Sequence, residues 1–332
     1  MNNHSGATAQ QNQPENFLLF DRLNLPVKDP EWIFDDLWAA GTIGLFTGDG
    51  GIGKSHWSLQ LIVAIASGAS IDGTCFVSSK PRPVVYISQE DDGEFVRGEL
   101  SCQFPNLINQ PDIAKRIRII STAIQGPNLF LSDKTHCLGM ANNLPHDSVF
   151  VLDSFSNFLT SNEIDNTALL QNEFANLRTL MKARRASPLL IHHRPKQNAQ
   201  TGQQSASRGA TAIPQSCRFH IMLERKPSGV GVSLSFEKVS RGAKPDSLTL
   251  IFDPQRKLFV PEDLDPYVGL FKVGDQFTLT DFMQRLGKDP NDKKEQKRAL
   301  DIIAQRCARN GGWFEKVVVG KKGQPGIWER KK

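Results

Sequence analysis

The sequence predicts an α/β fold in which a mostly parallel central sheet is extended by C-terminal β-hairpins and followed by a small α+β domain. The first observation is an apolar segment, residues 43–46, that passes into a glycine-rich loop and then into a helical pattern. The second is the alternation of short apolar strands with helices over residues 41–260, which is typical of a layered α/β domain. Beyond residue 216, finally, the pattern changes to strands joined by turns.

The composition is that of an ordinary water-soluble globular protein. Of the 332 residues, 39% are apolar and 23% are charged. No apolar stretch approaches the roughly 18 residues of a membrane span, and the polar residues 1–16 lack the layout of a signal peptide. Five scattered cysteines without a C-x-x-C pair predict reduced thiols in the cytoplasm and argue against structural zinc. We therefore expect a cytoplasmic protein without a membrane partner.

Changes in composition divide the chain into four parts. Residues 1–16 are expected to be a flexible polar tail, and residues 17–40, which mix aromatics with prolines, a docking arm. Residues 41–260 carry the alternating α/β pattern. The segment PEDLDP, residues 261–266, predicts a domain boundary before a basic domain over residues 268–332.

The glycine-rich loop and its flanking elements have the strand, loop and helix order of a phosphate-binding loop. The loop consists of Gly48, Asp49, Gly50, Gly51, Ile52, Gly53, Lys54 and Ser55, and His56 follows it. Glycines allow consecutive backbone N–H groups to curl around phosphate oxygens. Lys54 is expected to reach the β- and γ-phosphates, and the Ser55 hydroxyl to join a Mg²⁺ shell. The pattern predicts that the chain binds ATP with Mg²⁺; the alternative is a simple glycine-rich turn.

The rest of the predicted sheet consists of short apolar strands with a helix before the last of them. Strands are expected at residues 43–47, 83–88, 117–121, 149–152 and 188–191. A helix between the last two would be capped by Asp165. Its apolar face would hold Leu170, Phe174, Leu177 and Met181, and its C-terminal end Lys182, Arg184 and Arg185.

Asp153 ends a buried type of strand, and a carboxylate at this point would hold the Mg²⁺ shell opposite Ser55. The alternative is an ordinary strand that ends in an Asp turn. Because Ser154 follows Asp153, no glutamate stands beside it to activate water. We assign the role of general base to Glu90, directly after the second strand, and expect Asp91 and Asp92 to cap the next helix.

Two histidines, His192 and His193, end the strand at 188–191. We expect His193 to contact the γ-phosphate and report its presence, whereas the alternative is a structural or surface histidine. Metal binding by the pair is disfavoured, because adjacent side chains on a strand point to opposite faces. The polar segment 195–207 that follows is either a disordered insertion or a mobile nucleic-acid-binding loop.

The C-terminal part is expected to begin with strands at residues 217–223, 230–239, 248–252 and 257–260. A helical stretch with Phe277, Phe282 and Leu286 would follow, and then a basic helix with Leu300, Ile303 and Cys307 at helical spacing. A ribbon of strands at 313–319 and 326–331 completes a pattern that suggests a winged helix. Residues 293–332 carry a net charge of +8, whereas the whole chain carries +5. This predicts contact with a polyanion, unless the charges form only a solvated face.

Taken in order, these segments resemble the RepA-type plasmid replicative helicases, members of the RecA/DnaB-like class of hexameric ATPases. The matching segments are GTIGLFTGDGGIGKS, VVYISQED, VFVLDS, LLIHH, SRGATAIPQSCRF and EKVSRGAKPD. The resemblance covers about residues 30–260, so the role of the basic C-terminal segment is not implied by it.

The resemblance implies a RecA-like P-loop ATPase core that assembles into a ring of six copies of the chain. ATP would lie between subunits, and hydrolysis would drive movement along single-stranded DNA. Lys54, Ser55, Glu90, Asp153 and His193 match the family's phosphate loop, catalytic glutamate, magnesium aspartate and sensor histidine. Arg218 matches the position of the arginine finger and Arg241, with Lys238 beside it, that of a further basic residue acting on the neighbour. Both arginines could instead be plain surface charges.

Four functions are compatible with these features. The favoured one is an oligomeric ATP-dependent DNA helicase or replication ATPase on a plasmid, phage or mobile element. A DNA-dependent ATPase without unwinding, such as a recombination mediator or a regulator, is the second. A small-molecule kinase and a nucleotide-gated binding module are the others. The C-terminal domain would bind duplex DNA or another replication protein.

Overall fold

A computed structural model describes residues 29–123, 128–160, 167–193, 208–227, 231–262, 267, 270–272, 274–307, 314–320 and 325–331. The chain separates into two compact units, residues 1–31 and residues 32–332, and all elements below belong to the second unit. The expected polar tail, Asp165 and the loop 195–207 lie outside the described residues. The boundary expected at 261–266 stays a prediction.

A short hairpin of β1 (Trp32–Phe34) and β2 (Trp38–Ala39) opens the second unit. The Trp38 ring is fully buried and stacks on Phe219, with ring centroids 5.6 Å apart. Of the docking arm expected at residues 17–40, the part from Trp32 to Ala39 therefore contributes side chains to the core around the sheet.

Six parallel strands form one side of a nine-stranded sheet and include one of its edge strands. They are β3 (Gly44–Gly48), β4 (Val84–Ser88), β5 (Ile117–Ser121), β6 (Val149–Asp153), β7 (Ser187–His193) and β8 (Phe219–Arg225). Their order across the sheet is β8-β3-β7-β6-β4-β5, with β5 at the edge. Nearly continuous apolar sequence suits strands that are covered by helices on both faces. The expected parallel core is confirmed.

Three antiparallel strands continue the sheet beyond β8, in the order β9, β10, β11. They are β9 (Val232–Val239), β10 (Leu248–Asp253) and β11 (Leu258–Pro261). The hairpin extension predicted from the change of pattern after residue 216 is confirmed, because short turns connect neighbours that can only be antiparallel.

Helices cover the two faces of the sheet and bury separate apolar clusters. They are α1 (Lys54–Ser67), α2 (Gly93–Gln103), α3 (Pro111–Ala114), α4 (Lys134–Asn143), α5 (Thr167–Arg184) and α6 (Arg208–Ser216). Helix α5 buries Leu170, Phe174, Leu177 and Met181, as its spacing predicts. Within the described part of the chain, no helix has the length and apolar character needed to cross a bilayer.

The C-terminal part consists of β12 (Gln276–Thr278), α7 (Leu279–Arg285), α8 (Lys293–Arg306), β13 (Phe314–Val318) and β14 (Ile327–Arg330). The three strands form one antiparallel sheet in the order β12-β14-β13. Two helices and a terminal ribbon are present as expected, and their designation as a winged helix stays a prediction.

One detail of the C-terminal prediction was wrong. Phe277 lies on β12 and not on a helix, because it pairs with Trp328 of β14 and stacks on Phe271. Leu300 is 41% exposed, whereas Ile302 and Ile303 are buried. Several positions of α8 fit a helical apolar pattern, and only the direction in which the sheet approaches the helix selects among them.

A buried histidine makes stability depend on pH. The Nε2 atom of His220 on β8 lies 2.8 Å from the Thr47 hydroxyl oxygen, so the two groups share a hydrogen bond. Burial lowers the pKa of His220 from 6.5 to about 4. As pH falls from 6.5 toward 4, His220 therefore stays unprotonated in the folded protein but binds a proton in the unfolded chain. The free energy of unfolding accordingly decreases as the pH is lowered through this window.

We expect His220 to account for a loss of about 2 kcal/mol in the free energy of unfolding between pH 7.5 and pH 5. The variant His220→Gln keeps a side chain that can hydrogen-bond with Thr47 but cannot bind a proton in this range, so it should lose correspondingly less stability. Urea unfolding at both pH values measures the difference. An identical pH dependence of variant and wild type would contradict the assignment.

Candidate nucleotide-binding site

The carboxyl ends of four parallel strands bring the predicted site residues to one edge of the sheet. The pairing of Gly48 with His193 aligns the ends of β3 and β7, and that of Ser88 with Asp153 aligns β4 and β6. Side chains that follow these strands therefore meet although they are far apart in sequence. A cleft of about 550 Å³ lies there, and its lining includes Lys54, Ser55, Glu90, Asp153 and His193. Strand order and register alone produce this convergence.

The loop between β3 and α1 has the backbone that its glycines permit. Gly51 and Gly53 have φ of 67° and 100°, which L-residues rarely adopt. At Gly48, a Cβ atom would lie 2.6 Å from the backbone oxygen of Leu223 on the neighbouring strand. Asp49, Gly50 and Gly51 are exposed, and Ile52 is buried and anchors the loop to the core.

Lys54 begins α1 and holds the loop together from within. Its Nζ atom donates to the backbone oxygens of Gly48 and Asp49, at 2.9 Å and 2.8 Å, and lies 3.3 Å from Nδ1 of His193. Burial lowers the pKa of the Lys54 ammonium, against the raising effect of Asp153, Glu90 and Asp49. A partly desolvated cation beside a glycine loop at a helix N-terminus fits the phosphates of a nucleotide.

Ser55 and Asp153 lie next to each other at the base of the cleft. The Ser55 hydroxyl donates to Oδ2 of Asp153 at 3.0 Å, and Asp153 is 3% exposed. Burial raises the pKa of the Asp153 carboxyl, against the lowering effect of its hydrogen bonds with Tyr86 and Ser55. Hydroxyl and carboxylate oxygens are hard ligands of the type that Mg²⁺ prefers, so this pair fits the ion that was expected here.

Tyr86 is a residue of this site that the sequence analysis missed. It lies in the middle of β4, is 1% exposed and donates its hydroxyl hydrogen bond to Oδ2 of Asp153. Burial and the neighbouring Asp153 raise the pKa of Tyr86 well above its ordinary value, so it remains a donor. Its signal in the sequence is a hydroxyl within an otherwise apolar strand, because a buried tyrosine needs a partner.

The variant Tyr86→Phe keeps the ring and removes the bond that orients Asp153. Loss of such a supporting contact costs about 10–100-fold in metal affinity or activity in other proteins, and we expect the Mg²⁺ concentration for half-maximal ATP turnover to rise within that range. The matched control is Ser58→Ala, since Ser58 lies 3.4 Å from the Tyr86 hydroxyl and Asp153 is not among its described partners. Equal Mg²⁺ titrations for Tyr86→Phe and wild type would contradict this role.

Glu90 and His193 face each other across the mouth of the cleft, with Oε2 and Nε2 3.6 Å apart. Their side chains are 48% and 42% exposed, so both are accessible to water and to a bound phosphate. His192, in contrast, is buried against Phe155, and burial lowers its pKa to about 4. The strand alternation predicted for the two histidines thus separates an accessible ring from a buried one.

The expectation that Asp91 and Asp92 cap the next helix needs correction. Asp92 occupies the N-cap position of α2, but its side chain makes no capping hydrogen bond. Asp91 lines the cleft, and burial followed by the charges of Glu90 and Glu99 raises its pKa. It therefore belongs to the acidic wall of the site.

His56 connects the loop to a second group of charged residues. Its Nε2 atom lies 3.0 Å from Oε2 of Glu99 on α2, and Oε1 of Glu99 accepts a hydrogen bond from Lys257 in the turn before β11. The rings of His56 and Phe252 also pack nearly perpendicular to each other, with centroids 5.2 Å apart. Only the fold brings α2, β10 and the β11 turn to this wall, which the sequence analysis did not foresee.

Arg218 and Arg241 lie outside this cleft. Phe219 pairs with Gly44, so Arg218 precedes β8 at the amino ends of the parallel strands. The length of β3 separates this end from the phosphate loop, a distance of about 16 Å. Ser240 donates its N–H to the backbone oxygen of Arg218, which puts Arg241 at the same edge. Both arginines are exposed. Arg225, at the other end of β8, lines the cleft and was missed.

A family model described as an AAA domain matches residues 9–199, more than half of the chain. No curated protein gives a match. Among solved structures, one ATPase domain is 12% identical, with a TM-score of 0.48 over 67% of this chain and 86% of that one. A KaiC-like protein of Pyrococcus horikoshii is 17% identical, with a TM-score of 0.46, and the match covers 71% of this chain and 98% of that protein. The RadB recombinase is 14% identical, with a TM-score of 0.45, and the match covers 66% of this chain and 90% of that protein.

Proposed function

Because this chain belongs to the AAA domain family, and so is a P-loop ATPase, we propose that it is an oligomeric ATP-dependent DNA helicase or replication ATPase. In this function, ATP hydrolysis is coupled to movement along single-stranded DNA. The observation that supports it most is the meeting of Lys54, Asp153, Glu90 and His193 in one cleft. A site that only bound nucleotide would not require an accessible carboxylate beside an accessible histidine at the γ-phosphate end.

Each side chain has a chemical task in the proposed reaction. Lys54 and the loop amides bind the β- and γ-phosphates, and Ser55 and Asp153 would hold Mg²⁺. When bound, Mg²⁺ neutralises charge that develops on the phosphate oxygens. Glu90 orients the attacking water and accepts its proton. His193, which lies within reach of both Lys54 and Glu90, senses the γ-phosphate.

The proposal includes a ring of identical subunits, with six as the expected number. Arg218 and Arg241 lie at the edge opposite to their own loop, so a role at the phosphates requires the site of a neighbouring subunit. The exposure of Glu90 and His193 in the single chain suits a cleft that a second copy covers.

The first test is the rate of ATP hydrolysis with and without single-stranded DNA, together with the solution mass. We expect stimulation by DNA and a ring-sized assembly. A monomer whose hydrolysis ignores DNA would refute the proposal. A forked duplex then separates the two DNA-linked functions, because abundant hydrolysis without strand displacement indicates a DNA-dependent ATPase that does not unwind.

A further inference from the structure

Helix α8 presents three lysines on its outer side. Ala299, Ile302 and Ile303 point into the apolar cluster of the C-terminal sheet and are nearly fully buried. On the exposed side lie Lys293, Lys294 and Lys297, which we call the α8 basic face. Lys293 and Lys297 are one turn apart, which places them about 6 Å from each other along the helix axis.

Most of the nearby acidic side chains have other partners, and Asp301, which is exposed on the same side of α8, forms no ion pair among the described residues and leaves this side with a net charge of +2. Glu295 pairs with Arg298 at 2.5 Å and with Lys288 at 3.6 Å, and Lys331 pairs with Glu315 at 3.2 Å and Glu329 at 2.8 Å. Asp292 accepts the backbone N–H groups of Lys294 and Glu295. Among the residues that the structure describes, no carboxylate forms an ion pair with the α8 basic face. Its three charges are therefore available to an external anion.

We propose that the α8 basic face binds the phosphate backbone of duplex DNA, with α8 lying in the major groove. An α-helix fits the width of that groove. Leu300 is 41% exposed and follows Lys293 by seven residues, so it lies on the same side of the helix. Lysines beside an exposed apolar residue match the two chemistries of the groove, phosphates at the rim and thymine methyl groups at the base edges.

Duplex DNA suits this face better than single-stranded DNA does. Proteins that hold single strands stack the bases on aromatic side chains. The aromatic residues of this part of the chain that the structure describes, among them Phe282, Phe314 and Trp328, are buried in its core. An acidic protein is the remaining alternative, and it is distinguished by the test below. The inference does not depend on hydrolysis or on movement along DNA.

The test compares the full-length chain with the variant Lys293→Glu/Lys294→Glu/Lys297→Glu in binding a fluorescent 24-base-pair duplex, measured by anisotropy from 50 to 200 mM salt. We expect at least a roughly tenfold weaker Kd at 100 mM salt. A plot of the logarithm of the association constant against the logarithm of salt concentration has a negative slope. The magnitude of this slope should decrease by about 3, one for each lost phosphate contact. Lys293 and Lys294 lie in the first turn of α8, where glutamate is favourable, and Lys297 is exposed, so α8 should remain folded.

The matched control Lys134→Glu/Arg178→Glu/Lys182→Glu changes the same charge at exposed positions of α4 and α5. It should bind the duplex like wild type, and both variants should keep the basal ATPase rate. Equal weakening in the control, or unchanged duplex binding by the α8 variant, would overturn the proposal. So would displacement of the duplex by polyglutamate at the same concentration of charge, because the face would then select for acidity alone.

Discussion

Replacing Glu90 by Gln is expected to lower kcat for ATP hydrolysis by about 10²–10⁴-fold while ATP still binds. Glutamine keeps the size of the side chain and its contact with bound water but cannot accept a proton. Glu90 is well placed for this role because it follows β4 directly and faces His193 at 3.6 Å across the cleft. Steady-state phosphate release and calorimetric titration with ATP measure the two quantities separately.

Asp91→Asn is the matched control, because Asp91 is the next residue and lines the same cleft. It should change kcat much less than Glu90→Gln does. If Asp91→Asn removed turnover and Glu90→Gln retained it, Asp91 would be the base. If ATP binding were lost with Glu90→Gln, the carboxylate would act in binding and not in the chemical step.

The second large effect is expected for Arg218→Ala, which should lower kcat by about 10³–10⁵-fold, as loss of an arginine finger does in other systems. ATP binding to each subunit should persist, because Arg218 lies across the sheet from its own loop. Arg241→Ala gives the matched comparison, since a hydrogen bond between Ser240 and Arg218 holds the two arginines at the same edge.

Mixing experiments test whether the arginine acts on a neighbour. Arg218→Ala subunits retain an intact loop, and Lys54→Ala subunits retain an intact arginine, so mixed rings should recover part of the hydrolysis that each variant lacks. Full activity of the Arg218→Ala variant alone would contradict the assignment of Arg218 as the arginine finger. If only Arg241→Ala lost turnover, the finger would be Arg241.

The phosphate loop could be predicted from sequence because its physical requirements are local. Gly51 and Gly53 adopt backbone angles that few other residues tolerate, and the apolar strand before them and the helix after them are contiguous with the loop. The alternation of strands and helices also predicted which strand ends would carry Asp153, Glu90 and His193, since parallel strands place their carboxyl ends at one edge.

Other features depended on partners that are distant in the chain. Tyr86 and Asp153 come together only because β4 and β6 are neighbours. Glu99 meets His56 and Lys257 only because α2 packs beside the turn before β11. Phe277 was expected on a helix and lies on a strand, because its pairing with Trp328 outweighs the local pattern.

By itself, the sequence determined the loop, the type and order of the elements and the residues that could carry phosphate chemistry, because backbone conformation and hydrophobic period act over a few residues. Only the tertiary structure decided that Tyr86 supports Asp153, that Arg218 and Arg241 lie away from their own cleft and that α8 turns its lysines outward. These outcomes depend on which strands are neighbours and on how a helix is rotated against its sheet, and such choices are settled by packing between distant segments.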